Sequence, residues 1–261
     1  MPHVTVRLDG AVAEVVISSP PLNLFDQQMV TDMEAALQEL KGMVASGEAR
    51  AALLRAEGKV FCAGVDVHEF QGLQPSGGAA LMARFLDLVH TLEALPIPTV
   101  AVVHALNLTI GFEVVLGCDL LWAADDASFG LVEATVGLTP GGGGTQRLVA
   151  RAGVARAAEL VMTGDIYSAQ DMHAWGVVNQ LRPKDRLLDE ARTFTATLAA
   201  GPTVATGIAK RLLLTARDQG VHAADAATPH ATGAVFATSD LPHGIESLLT
   251  NGPRKAVFEG R

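Results

Sequence analysis

The sequence predicts an α/β protein in which a parallel-sheet core is followed by a helical C-terminal region. Short apolar strands alternate with amphipathic helices over the first part of the chain, whereas only helical periodicity follows residue 185. Of the 261 residues, 49% are hydrophobic and 18% are charged, which provides enough apolar side chains for a large core. We predict a core over residues 1–184 and a helical region over residues 185–261, with no Ser/Gly-rich linker between them.

The chain begins with a predicted β-hairpin. Residues 4–18 alternate around Asp9-Gly10, a pair that tolerates the positive φ angles of a tight turn. After this hairpin, a helix is predicted from Asp26 to Lys41 because apolar side chains recur there at helical spacing. The side chains on that predicted face are Met29, Met33, Ala36, Leu37 and Leu40.

The following segments repeat the order strand, loop, helix, strand, which implies right-handed crossovers between parallel strands. These predicted elements are strands at 51–54, 99–103 and 119–123, a helix at 78–95, a helix beginning at 144–150 and a short strand at Val177-Val178. Three apolar stripes then predict the C-terminal helices. They contain Leu187, Leu188, Ala191 and Phe194; Ile208, Leu212 and Leu213; and Ile245, Leu248 and Leu249.

Composition argues against several functional classes. The formal net charge of -9 disfavours a nucleic-acid partner. Cys62 and Cys118 have no CxxC or Cys/His spacing, so neither a disulfide framework nor a metal site is expected. Apolar runs fall short of the ~20 residues of a membrane span, and the N-terminus is typical of a strand rather than a signal peptide. We expect a soluble, cytoplasmic protein that binds neither nucleic acid nor membrane.

Two glutamates stand among apolar residues. Glu113 follows a strand and a glycine, in the first turn of a predicted helix, where a carboxylate either stabilises the helix dipole or has a perturbed pKa. Glu133 follows a strand that ends at Gly130. The two are about 20 residues apart, and if their side chains converge they form an acid/base pair.

Two glycine-containing loops have small side chains that would let a ligand approach the backbone closely. The first, Lys59 to Val67, leaves a buried strand through small residues, although this is also an ordinary way for a strand to end. The second, Pro140 to Leu148, resembles a phosphate cradle. It lacks the P-loop lysine and the acidic ribose ligand of dinucleotide-binding motifs, so it does not predict a nucleotide site.

Taken in order, these segments resemble the crotonase family, also called the enoyl-CoA hydratase/isomerase family. Residues 61–67, FCAGVDV, are similar to the family's F-C-A-G-A-D-hydrophobic motif, and the glycine-rich stretch ending at Glu113 is followed by C-D as in the family. The likeness extends over nearly the whole chain. It continues through P-L-N at 21–23, F-G-x-x-E at 129–133, L-T-P-G-G-G-G-T-Q-R-L at 138–148 and T-G-D at 163–165.

The resemblance implies a crotonase-like spiral of repeated ββα units with a helical C-terminal trimerisation region. It also implies an acyl-CoA thioester substrate, a place in fatty acid metabolism and a homotrimer or dimer of trimers. No cofactor is expected beyond coenzyme A, which is part of the substrate. The implied oxyanion hole consists of the backbone N–H groups of Val65 and Ile110, and the implied catalytic residues are Glu113 and Glu133. The implied CoA-binding residues are Lys59, Ala63, Gly64, Val65, Asp66 and Val67.

Hydration of an enoyl-CoA is the predicted reaction because both glutamate positions are filled. Glu113 is expected to act as the base and Glu133 as the acid. One alternative is a Δ3-Δ2 enoyl-CoA isomerase, which needs a single carboxylate, expected to be Glu133. Another is a catalytically silent acyl-CoA-binding member, because Thr109-Ile110-Gly111 replaces the family's glycine triplet and adds bulk beside the expected oxyanion hole.

Overall fold

A computed structural model describes residues 2–261. The strands, in chain order, are β1 (Val4–Asp9), β2 (Val12–Ile17), β3 (Ala51–Ala56), β4 (Thr99–Val103), β5 (Asn107–Leu108), β6 (Leu120–Ala124), β7 (Ser128–Gly130), β8 (Ile166–Ser168) and β9 (Gln180–Arg182). The helices are α1 (Gln27–Ala45), α2 (Pro75–Glu93), α3 (Ile110–Leu116), α4 (Gly144–Thr163), α5 (Ala169–Ala174), α6 (Lys184–Ala199), α7 (Thr203–Gln219), α8 (Val221–Gly233) and α9 (Asp240–Asn251). Short 3₁₀ turns cover Val67–Phe70, Glu133–Val136 and Ala234–Ala237.

The strands form two sheets. The larger has the order β1-β2-β3-β4-β6-β9, with an antiparallel β1-β2 hairpin and parallel pairing elsewhere. The smaller contains β5, β7 and β8. Because β4 and β6 lie in the larger sheet while β5 and β7, which follow them, lie in the smaller one, successive turns of the chain alternate between sheets before entering a helix. The predicted spiral of ββα units is confirmed.

Most predicted elements of the core are confirmed. The hairpin forms, but its two-residue turn is Gly10-Ala11, one residue later than predicted, because Asp9 still pairs with Val12. The five apolar side chains predicted for α1 are all buried. Asp26 caps α1 by accepting a hydrogen bond from the backbone N–H of Met29 at 2.7 Å. Helix α2 begins at Pro75 rather than Gly78, since proline suits the first helical turn, where no N–H is needed.

The predicted strand at Val177-Val178 is wrong. Both residues are buried, but both backbone N–H groups donate to the Met172 carbonyl, at 2.8 Å and 3.1 Å, and close a turn after α5. With these donors satisfied locally, neither residue joins a ladder, and the strand forms at β9 instead.

The C-terminal part is helical, as predicted. Helix α6 packs against β3, β4 and β6, so the helical region begins in contact with the sheet rather than beyond a linker. In residues 2–261, no helix combines the length and the apolar character that crossing a membrane requires.

Candidate active site

Glu113 is held inside the protein by a glycine loop. Its side chain is on α3, and the residue is 1% exposed. The carboxylate Oε1 accepts hydrogen bonds from the backbone N–H groups of Gly142, at 2.9 Å, and Gly144, at 2.8 Å. Burial raises the pKa of Glu113, while the Gly144 and Gly142 amides and the positive charge of Arg147 favour its ionised form.

Glu133 has a different environment. It opens the 3₁₀ turn that follows β7 and is partly buried. Burial, and then the nearby negative charge of Glu113, raise the pKa of Glu133 to about 7. Its Oε2 atom is buried and has no hydrogen-bond partner among the residues that the structure describes. One carboxyl is therefore satisfied by the fold, whereas the other has capacity for a ligand or water.

Both glutamates line one cavity of about 110 Å³. Val65 and Thr109 lie in its wall, and the apolar part of the wall consists of Val67, Phe70, Met82, Phe85, Val132, Val136 and Leu138. Larger clefts of about 900 Å³ border α7 but contain neither glutamate. We place the candidate site where two carboxyls with perturbed pKa values meet, because such convergence is a stronger functional signal than cleft size.

The two expected oxyanion-hole residues present unused backbone donors. Val65 lies between Gly64, whose carbonyl accepts from the Phe25 N–H at 2.9 Å, and Asp66, whose N–H donates to the Phe25 carbonyl at 3.1 Å. Ile110 is the first residue of α3, where a helix leaves its N–H groups without partners. Within residues 2–261, neither the Val65 N–H nor the Ile110 N–H donates a hydrogen bond.

Thr109 links the loops that carry these two donors. It immediately precedes Ile110 and has a φ of 48°, a value that a β-branched residue rarely adopts. Its side chain packs against Gly64, so that a Cβ atom placed on Gly64 would lie 2.6 Å from the Thr109 Oγ1. Glycine at position 64 is therefore required for this contact between the loops.

The expected CoA-binding residues lie in the loop that follows β3. Lys59 is exposed in the turn that follows this strand. Farther along the loop, the Ala63 N–H donates to the Leu22 carbonyl at 2.9 Å, and Asp66 caps the 3₁₀ turn by accepting from the His68 N–H at 3.0 Å. Val67 is exposed. This loop therefore connects a surface lysine to the donor at Val65.

Sequence reasoning missed the apolar wall and one ion pair. Phe70, Met82 and Phe85 line the cavity. The sequence pattern does not distinguish an apolar side chain that lines a cavity from one that packs in the core. Arg147 belongs to the glycine-rich motif at 138–148, and its side chain is buried and paired with Glu93, which the motif does not predict. The signal that identifies it is an arginine placed one turn into the helix that follows a glycine run.

Comparison with known proteins shows a family and several relatives that this chain resembles. A family model described as enoyl-CoA hydratase/isomerase matches residues 7–260. The chain is 28% identical over 263 residues to a probable enoyl-CoA hydratase of Bacillus subtilis (strain 168), with 100% of both chains covered. It is 30% identical to the probable enoyl-CoA hydratase echA8 of Mycobacterium tuberculosis (strain CDC 1551 / Oshkosh), with 94% of each covered. A crystal structure of enoyl-CoA hydratase from Bacillus anthracis superposes with a TM-score of 0.91 at 27% identity, covering 99% of this chain and 100% of the other.

Proposed function

The chain belongs to the enoyl-CoA hydratase/isomerase family, and we propose that it adds water across the 2,3 double bond of an enoyl-CoA thioester. One observation carries the proposal. Glu113 and Glu133 open on the same cavity, beside loops whose Val65 and Ile110 N–H groups are unused. Hydration needs all of these groups, because it moves two protons and builds charge on an oxygen.

The backbone donors stabilise the developing charge. Attack of water on the β-carbon pushes electrons through the conjugated system onto the thioester oxygen. The N–H groups of Val65 and Ile110 are fixed by the fold, so they stabilise that charge without reorganisation at the moment of reaction. Removal of one such donor typically costs about 3 kcal/mol of transition-state stabilisation.

The two glutamates divide the proton transfers. Glu113, ionised with the help of two backbone amides and Arg147, takes a proton from water as the hydroxyl oxygen bonds to the β-carbon. Glu133, which has a pKa of about 7, delivers its proton to the α-carbon as the enolate collapses. The π bond of the alkene and one O–H bond of water break, and one C–O and one C–H bond form. Return of the proton from Glu113 to Glu133, directly or through solvent, restores the starting state.

A second candidate reaction is Δ3-Δ2 isomerisation of an enoyl-CoA. The observation that favours it is the pKa of about 7 at Glu133, which allows this side chain alone to accept a proton from one carbon and return it to another. That reaction requires no proton transfer by Glu113.

The test is turnover of 2-enoyl-CoAs of graded chain length, followed by loss of the conjugated-thioester absorbance. The hydratase proposal expects this absorbance to fall and a 3-hydroxyacyl-CoA to form. If a 3-enoyl-CoA instead gains absorbance while 2-enoyl-CoAs are not hydrated, the isomerase is the activity. Tight binding of a saturated acyl-CoA without any turnover identifies a silent binding protein.

We also propose that Lys59 and the loop from Ala63 to Val67 bind the CoA portion. The exposed position of the lysine supports this proposal, since an exposed ammonium in an acidic protein is available to a phosphate.

A further inference from the structure

We infer that Glu93 and Arg147 form a clamp that orients the glycine loop 141–144 toward Glu113, which makes Arg147 a positioning residue. The inference rests on the proposed function only where it assigns Glu113 the role of base. Its geometric part concerns the loop alone.

The clamp consists of two contacts of one buried guanidinium. Arg147 lies in the first turn of α4 and is 7% exposed. Its Nη2 donates to Glu93 Oε2 at 2.6 Å, and its Nη1 donates to the Gly143 carbonyl at 3.3 Å. Gly143 has a φ of 88°, and a Cβ atom placed there would collide with Nη1. Glycine at this position therefore lets the guanidinium reach the backbone.

Peptide planarity connects this clamp to Glu113. The carbonyl of Gly143 and the N–H of Gly144 belong to one peptide unit, and in a trans peptide they point in opposite directions. The Gly143 carbonyl accepts from Arg147 Nη1 and also from the Arg147 backbone N–H, at 3.2 Å, so the side chain adds to the first bond of the helix. With the carbonyl so held, the Gly144 N–H points away from the arginine and donates to Glu113 Oε1 at 2.8 Å. Rotation of this peptide would break both contacts together.

Glu93 fixes the arginine from the other side. It is at the end of α2, is largely buried, and also accepts a hydrogen bond from Arg217 of α7. Helices α2, α4 and α7 therefore meet at this carboxylate. Some buried ion pairs of this kind only complete the packing of helices. Hydrogen exchange at the glycine loop distinguishes that role from control of the loop.

The charges around Glu113 give the clamp a second, electrostatic effect. Arg147 faces Glu113 from α4 and Glu133 faces it from the 3₁₀ turn, while Glu93 and Arg217 lie behind Arg147. The positive charge of Arg147 favours the ionised form of Glu113. If this charge is removed, the pKa of Glu113 rises further, and the acid limb of the kcat profile moves to higher pH because the base must be deprotonated.

Two variants separate geometry from charge. Arg147→Met removes the guanidinium contacts and the positive charge. We therefore expect amide hydrogen exchange at Gly142 and Gly144 to accelerate at least about 10-fold and kcat to fall about 10-fold. The acid limb of the kcat profile should move to higher pH. Arg147→Lys keeps the positive charge, but the lysine side chain lacks the planar guanidinium that donates to Glu93 and Gly143 at the same time. We expect it to keep the wild-type acid limb while its loop still exchanges faster.

Arg156→Met is the matched control, because Arg156 is an exposed, ion-paired arginine on the same helix. It should leave exchange at the loop, kcat and the acid limb at wild-type values. Unchanged exchange at Gly142 and Gly144 in Arg147→Met would overturn the clamp, even if activity fell. Absence of hydratase turnover in the wild type would overturn the proposed function instead, and hydrogen exchange would still decide the clamp.

Discussion

Glu113 and Glu133 have the same side chain and both have raised pKa values, but the groups around their carboxylates differ. Glu113 is more deeply buried, but two backbone amides compensate its charge. Glu133 is less buried, lacks a partner at Oε2 and is close enough to Glu113 to be affected by its charge. This difference makes Glu113 the expected carboxylate and Glu133 the expected acid at neutral pH.

The raised pKa of Glu133 predicts a specific dependence of stability on pH. The folded-state pKa of about 7 exceeds the ordinary value of 4.5, so the folded protein holds a proton that the unfolded chain releases in this interval. Stability contributed by that proton is fully present below pH 4.5 and is lost as pH rises through about 7. Glutamine resembles the protonated carboxyl and carries no titrating proton.

We therefore expect Glu133→Gln to match the wild type in urea unfolding near pH 4.5 and to exceed its free energy of unfolding by about 2 kcal/mol at pH 8. This figure is reduced from the full linkage value because the side chain is partly solvated. A difference between the two proteins that does not vary with pH would contradict the raised pKa.

The sequence pointed to Glu113 and Glu133, which line one cavity, but it did not predict the groups that hold them. The amides that bind Glu113 are 29 and 31 residues away along the chain, so no local pattern identifies them. The sequence did predict extra bulk at Thr109. It gave no indication that this threonine would adopt a positive φ or that its Oγ1 would be buried without a partner among the described residues.

At the scale of elements, the glycine loop before α4 is shaped by the carboxylate beside it. A Cβ atom on Gly142 would lie 3.0 Å from Glu113 Oε2 and 2.9 Å from the Ile110 Cδ1. These distances are too short for ordinary contacts, so an alanine must displace the loop, the carboxylate or the first turn of α3. Each displacement disturbs a group that the proposed reaction uses.

We expect Gly142→Ala to lower kcat at least about 10-fold, because a shift of about 1 Å in catalytic geometry is already costly. Gly78→Ala is the control, since Gly78 is in α2 and no atom lies within 4 Å of a Cβ placed there. That change should preserve kcat and raise the free energy of unfolding by about 0.5 to 1 kcal/mol. Wild-type kcat in Gly142→Ala would show that the loop does not constrain Glu113.

Element type was predictable wherever periodicity was strong, and boundaries were less so. The apolar stripe of α1 and the buried run of β4 were sufficient to predict both elements from sequence alone. Val177-Val178 shows the limit, because a short apolar run is buried equally well in a turn whose donors are satisfied locally. Backbone hydrogen bonding, rather than hydrophobicity, determines that the strand forms at β9.

The C-terminal helices of a single chain carry apolar side chains that are exposed to solvent. Leu249 is 82% exposed and Leu213 is 72% exposed, and Ile245 and Leu248 are also exposed. Large exposed apolar patches are typical of interaction surfaces. This exposure supports the expectation of a trimer or a pair of trimers, which remains a prediction.

We expect the wild type to sediment as a trimer or a pair of trimers at micromolar concentration and Leu249→Asp to dissociate, because the change places a charge in an apolar interface. Leu8→Asp, at an exposed leucine outside these helices, should sediment as the wild type does. A monomeric wild type would contradict the expected assembly.

More of the overall fold than of the cavity could be predicted from the sequence. Repeated strand and helix signals predicted a parallel-sheet core and a helical C-terminal region, because each element shows its burial in its sequence pattern. The spiral of ββα units was implied by the family resemblance of the motifs. The cavity depends on contacts among α2, the loop after β3 and the 3₁₀ turn at Glu133, which are far apart in sequence. Its wall therefore became apparent only in three dimensions.

The acid/base pairing of Glu113 and Glu133 is tested by the kcat of Glu113→Gln, Glu133→Gln and the double variant on one 2-enoyl-CoA. If the two carboxyls form one acid/base pair, each single change should lower kcat by about 100-fold or more with little change in substrate binding. The double variant should be far less impaired than the product of the two effects, because either loss already disables the pair. Full turnover in either single variant would contradict the account, since hydration would then proceed without one of the two proton transfers assigned to Glu113 and Glu133.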